Sequence, residues 1–172
     1  PGRQAALLRD AAFHERTNNT EQGHRALRAF HEQSPALDTP IGGLFAEALT
    51  ERLRWHEGES RAERERALAY RYREKADYLR AVIFGMEAYV SRLTERRGWD
   101  VNDHEHRDEA RGRNDSAYFG KLRRLRNAMA HGTPPEDGEI RDALSAEGKL
   151  RELLGHTFKA LLDDDGAWNA GS

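Results

Sequence analysis

Residues 79–93 read Leu79-Arg80-Ala81-Val82-Ile83-Phe84-Gly85-Met86-Glu87-Ala88-Tyr89-Val90-Ser91-Arg92-Leu93, the most apolar stretch of the chain. Leu79, Val82, Ile83, Met86, Val90 and Leu93 recur at three- and four-residue steps, the spacing of one helical face, and predict the central core helix. Arg96-Arg97-Gly98 stops it, with basic residues in the last turn and then a glycine cap. Upstream, residues 60–75 are strongly charged, with Leu68, Ala69 and Tyr72 as the buried candidates. A break near 75–77 makes the two segments a helical hairpin.

Working outward, Ile41, Leu44, Phe45, Ala48, Leu49 and Leu53 give another apolar face running to about Trp55, and Gly58 ends it. Thr39 followed by Pro40 reads as a helix start, with residues 34–40 as a linker before it. Residues 3–31 read as two short helices around Thr17-Asn18-Asn19-Thr20. On the other side, residues 99–115 carry many charges of both signs and few apolar side chains, which predicts a long loop. Periodicity resumes at Tyr118, Phe119, Leu122, Leu125 and Met129, with Asp115 or Ser116 as N-cap, and Gly132-Thr133-Pro134-Pro135 terminates that helix. A last helix is predicted over about 138–162, with Gly148 as a kink, then an acidic frayed tail. The expectation is an all-α bundle of five to six helices, divided into an N-terminal helical segment (1–58), a helical core (59–165) and a tail (166–172).

Composition agrees with this reading. Ala, Glu, Lys, Leu and Arg supply about half of the 172 residues, whereas Val and Ile together number six, too few for a sheet core. With 28 basic and 30 acidic residues the net charge is −2, so any nucleic-acid site has to come from local clustering. No cysteine is present, which excludes disulfides and thiolate chemistry and fits a cytoplasmic location. No apolar run approaches the ~18 residues of a membrane span. The chain opens at Pro1, and the expectation is a piece of a longer protein.

One segment does cluster its charge. Lys121-Leu122-Arg123-Arg124-Leu125-Arg126-Asn127-Ala128-Met129-Ala130-His131-Gly132 holds four basic residues, an Asn and a His with no acid among them. On a helix Asn127 and His131 share a face one turn apart, with Arg126 roughly 100° from Asn127. Metal-free RNA cleavage needs such groups. Imidazole titrates near neutrality and serves as acid or base, and guanidinium neutralises charge on the phosphorane. One His per chain is few for two proton transfers, and a two-fold dimer would supply a second.

Arg126-Asn127-Ala128-Met129-Ala130-His131, an R-N-x-x-x-H element near the end of a helix, resembles the signature of HEPN ribonuclease domains. With Ala76-Asp77-Tyr78-Leu79-Arg80-Ala81 and Glu87-Ala88 upstream, residues 60–162 are most similar to the HEPN half of the CARF-HEPN ancillary ribonucleases of type III CRISPR antiviral systems. The resemblance implies a homodimeric, metal-independent endoribonuclease that cuts single-stranded RNA at a composite site. Arg126 and His131 from both chains would be catalytic there, with Asn127 in support and no cofactor. A cyclic-oligoadenylate-sensing CARF domain would be the regulatory partner. No βαβ pattern for such a domain occurs in this chain.

Each residue also has a plainer reading. Arg126 and His131 could simply complement the helix dipole. Asn127 either fixes the His131 rotamer or touches substrate. Lys121, Arg123 and Arg124 could steer an RNA backbone or face solvent. Glu87, the acid beside the central apolar stripe, is expected to need a basic partner, with Arg126 as the candidate. Asp103, His104, Glu105, His106 and Asp108 are metal-type ligands but read better as a solvated loop than as a metal site. Trp55, Trp99 and Trp168 read as packing residues. The alternatives to a nuclease are a non-catalytic helical interaction module and a HEPN toxin whose N-terminal segment meets an antitoxin.

Overall fold

A computed structural model describes residues 2–33, 40–132 and 135–163, and among these there are nine α-helices and no strand. The expected readings on Thr39, the 34–39 linker, Thr133-Pro134, Trp168 and the 166–172 tail lie outside the described residues. The chain forms two compact units, one up to Ser60 and the other from Arg61 onward.

The first unit contains α1 (Gly2–Arg16), α2 (Thr20–Gln33) and α3 (Pro40–Leu53), followed by a 3-10 turn, Arg54–Glu57. Asn18 takes a left-handed conformation between α1 and α2, which lets the chain reverse there. Leu27 and Phe30 are buried, whereas Phe13 is 56% exposed. The turn seats Trp55 against Gly23 of α2, where an added Cβ would lie 3.1 Å from the indole. Three histidines gather beside it. The His56 ring donates to Leu53 O at 2.6 Å, His24 donates to His56 O at 2.9 Å, and His31 stacks on His56 with centroids 4.7 Å apart.

The second unit is built on the hairpin of α4 (Arg61–Glu74) and α5 (Tyr78–Arg96). Leu68, Ala69 and Tyr72 of α4 are buried as expected. Ala76 reverses the chain with φ +57°, and Asp77 caps α5 by accepting from Arg80 N at 3.3 Å. Ala62, Ala69, Ala81 and Ala88 are fully buried, so the two backbones approach closely, and Tyr72 stacks on Phe84 at 5.5 Å. Here the expected stripe needs correction. Val82, Met86 and Val90 are buried, but Leu79, Ile83 and Leu93 are half-exposed, and Phe84, Ala88 and Tyr89 complete the core face in their place. The helix is covered on more than one side, so a single stripe is too narrow a description.

The expected loop at 99–115 holds a helix, α6 (His104–Gly112), capped by Asp103, which accepts from His106 N at 3.0 Å. Its buried residues are Arg107 and Ala110 alone, so apolar periodicity had almost nothing to register. α7 (Ala117–His131) follows, with Ser116 as its N-cap and Gly132 as a left-handed C-cap, φ +64°. Tyr118, expected to face inward, is 43% exposed. The single predicted last helix is two, α8 (Gly138–Ala143) and α9 (Glu147–Phe158), and the break falls at 144–146 instead of Gly148. A π turn, Lys159–Asp163, closes the unit. Asp163 there pairs with Arg66 and accepts from Tyr70 at 2.6 Å, and burial plus that carboxylate hold the Tyr70 phenol well above its ordinary range. No helix among the described residues is long and apolar enough to cross a membrane.

Candidate nucleic-acid interface

α7 buries Phe119, Leu122 and Leu125 and turns its other face outward. Arg123, Arg124, Asn127, Ala130 and His131 lie on that exposed face, and Arg126 is half-exposed at its edge. Gly132 stops the helix directly after His131, because its N–H closes on Ala128 O at 3.0 Å and its left-handed backbone turns the chain away. The chain then runs back beside α7. Asp137 caps α8 through Glu139 N (2.9 Å) and Ile140 N (3.2 Å), and its other carboxylate oxygen meets Arg124 Nε at 2.8 Å. Arg141 donates to Pro135 O at 3.0 Å and to Glu136 O at 2.9 Å, and so fixes the returning segment. The result is a cleft of about 370 Å³ lined by Arg124, Asn127, Ala128, His131 and residues 135–137.

Arg126 faces elsewhere. Five residues of helix separate it from His131 by about 140° of rotation. It lines a second groove, of about 400 Å³, with Arg123, Arg111 of α6, and Ile83, Met86 and Glu87 of α5. The structure thus brings Asn127 and His131 together, brings Arg123 and Arg126 together, and within one chain sends Arg126 and His131 into different clefts.

The cations of α7 divide into two kinds. Lys121 pairs with Glu139 at 2.6 Å and lies over the Tyr118 ring, and Arg124 pairs with Asp137. These two tie α7 to the start of α8. The side chains of Arg123, Arg126, Asn127 and His131 make no hydrogen bond or ion pair with any described residue.

Glu87 has its basic partner, but not the one expected. Arg107 NH2 donates to it at 2.5 Å, and Arg111 NH2 stands 3.6 Å from its other oxygen. Glu87 and Arg126 share the groove wall without pairing. The reason is α6: once residues 104–112 are helical, Arg107 and Arg111 fall one turn apart on the face toward α5. Neither was singled out from the sequence, although an (i, i+4) arginine pair in a charged segment was the signal available. On the same helix His104 and His106 point to different sides. His104 is exposed beside Asp108, and His106 stacks on Trp99 at 5.5 Å. Among the described residues no group of three or more His, Asp or Glu side chains gathers as a metal site. Asp103, which accepts backbone N–H bonds as the cap of α6, is held below the ordinary carboxylate range by them.

No family model matches the chain, and no curated protein or solved structure matches it either.

Proposed function

We propose that the unit from Arg61 onward is a metal-independent endoribonuclease of the HEPN type that acts as a homodimer on single-stranded RNA, as an effector in type III CRISPR antiviral defence. The observation that carries this is the state of Arg126, Asn127 and His131. Among the described residues most charged side chains are paired, whereas the side chains of these three stand accessible and unpartnered toward the capped end of one helix, free to meet a ligand.

The chemistry follows from the groups. The ribose 2′-oxygen attacks the adjacent phosphorus and loses its proton, and the bond from phosphorus to the 5′-oxygen breaks as that oxygen gains one. Imidazole handles a proton in such a step, and guanidinium forks onto the non-bridging oxygens where charge accumulates. Asn127, one turn from His131 in the same cleft, orients the ring or the strand. The products are a 2′,3′-cyclic phosphate and a 5′-hydroxyl. Dimerisation supplies what one chain lacks, because the partner's copy of α7 sets its His131 against the Arg126 of this chain and its Arg126 against the His131 of this chain.

The test is cleavage of a labelled single-stranded RNA. Wild type is expected to give cyclic-phosphate ends at the same rate with and without EDTA. His131→Ala, which touches no other described residue by hydrogen bond, should cut at least about 100-fold more slowly at unchanged helicity. A rate lost in EDTA and restored by a divalent ion overturns the mechanism. A second reading, a non-catalytic interaction module, is favoured by the separation of Arg126 and His131 within a protomer. A wild-type rate at background, no higher than that of Arg126→Ala, selects it.

A further inference from the structure

Arg111 reaches the groove beside Arg126 at the end of a chain of buried polar contacts. Glu65 of α4, fully buried, accepts from Arg61 Nε at 2.8 Å and from the Ser91 hydroxyl at 2.6 Å. Ser91 accepts in turn from Arg107 NH1 at 2.7 Å. Arg107 passes the chain to Glu87, and Glu87 presents its second oxygen to Arg111. None of these side chains leaves a buried nitrogen or oxygen without a partner, which is the condition for a buried polar network to hold one geometry. The network docks α6 on α5 where apolar contact is scarce, and it points the Arg111 guanidinium at the groove.

The charge in that groove does not balance. Glu87 is matched by Arg107, and Arg111 is shared with exposed Asp108 at 2.5 Å. Arg123 and Arg126 have no anionic partner among the described residues. Ile83 and Met86 form an apolar floor under these cations. Arg111 and Arg123 also line an adjoining cleft of about 370 Å³, together with Asp115 and with Arg124, whose charge Asp137 meets, so these two arginines front both clefts. Excess positive charge in a row over an apolar floor suits a sugar-phosphate strand, with phosphates on the guanidiniums and sugar or base on the floor.

We infer that Arg111 and Arg123 bind the RNA backbone at phosphates neighbouring the one held by Arg126. The inference rests on the nuclease reading for the identity of the strand, and its test separates the two. The probe is a fluorescent 2′-O-methyl RNA oligonucleotide, which lacks the attacking hydroxyl and so binds without being cut. Its affinity is measured by anisotropy over a range of salt, alongside cleavage of the unmodified strand. Arg111→Ala and Arg123→Ala are each expected to weaken binding about 10-fold at low salt and to lower the slope of log affinity against log salt by about 0.7. Lys149→Ala, an exposed cation paired with Asp142 away from the groove, should leave both unchanged. Arg111→Gln, which keeps a stem and a hydrogen bond toward Asp108, replaces Arg111→Ala if that variant loses helicity. Wild type that cuts RNA while the Arg111 variants bind with unaltered affinity and slope overturns the inference and leaves the nuclease reading standing. Arginine-dependent binding without cleavage keeps the groove and sinks the nuclease. A wild type that fails to bind the oligonucleotide overturns the inference.

Discussion

Gly85 sits in the middle of the central helix, where glycine costs roughly 1 kcal/mol relative to alanine. Its compensation is Phe158 of α9: a Cβ built on Gly85 would come 2.7 Å from Phe158 Cε1 and 3.1 Å from Cζ. The ring is fully buried and T-stacked on Tyr70 at 5.4 Å, so it has little room to retreat. Gly85→Ala is therefore expected to destabilise the protein by about 1–3 kcal/mol, despite the better helix propensity of alanine. A thermal or urea melt with unchanged or raised stability would show that the ring can move aside. Glu87, two residues on, shows the same limit on reading a sequence residue by residue. Its need for a basic partner was legible from its place beside an apolar stripe. The partner was not, because Arg107 and Arg111 sit in a segment whose helix is invisible to apolar periodicity.

Elements differed in legibility according to what holds them. The α4–α5 hairpin and α7 bury Leu, Phe, Tyr and Val at helical spacing between cap residues, and their positions could be read to within a few residues. α6 is held by arginines, a serine and two glutamates, interactions that leave no periodic trace. The split of the last helix follows from Ser145-Ala146, where the break removes no large side chain from the core. In the first unit, the 3-10 turn is docked on α2 by Trp55 and by stacked imidazoles, and this gives it a pH dependence. Partial desolvation, together with the neighbouring His56 ring, lowers the His31 pKa below its ordinary 6.5, with Glu57 opposing. The unfolded chain then binds more protons than the folded one as the pH drops below about 6.5, so stability present above that value is lost as the pH falls through the lower folded value. Amide exchange in α2 and the turn is expected to accelerate as the pH falls below 6.5, beyond its intrinsic pH trend. His31→Gln should flatten that response, and an unchanged profile in the variant would assign the effect to another group.

At the scale of the whole molecule, the 140° between Arg126 and His131 along α7 decides how a composite site can be assembled. In one protomer the guanidinium lies in the groove against α5 and α6, and the imidazole lies in the cleft against the start of α8. A two-fold axis across the outward face of α7, near Asn127 and Ala130, would set the Arg126 of each chain against the His131 of the other. This arrangement has a consequence that pairing within one chain lacks. Arg126→Ala and His131→Ala homodimers should each be inactive, yet mixing them under conditions of subunit exchange should restore cleavage. In a heterodimer, the Arg126 of one chain faces the intact His131 of the other, while the opposite pairing is doubly dead. With random exchange, half of the dimers are mixed and each carries one of two pairings, so recovery to about a quarter of the wild-type rate is expected. If the working pair came from the same chain, every mixture would stay inactive, since no protomer would carry both side chains. Sedimentation of the mixture, run in parallel, establishes that dimers form and exchange, so that a silent mixture of proven heterodimers rejects pairing across the interface.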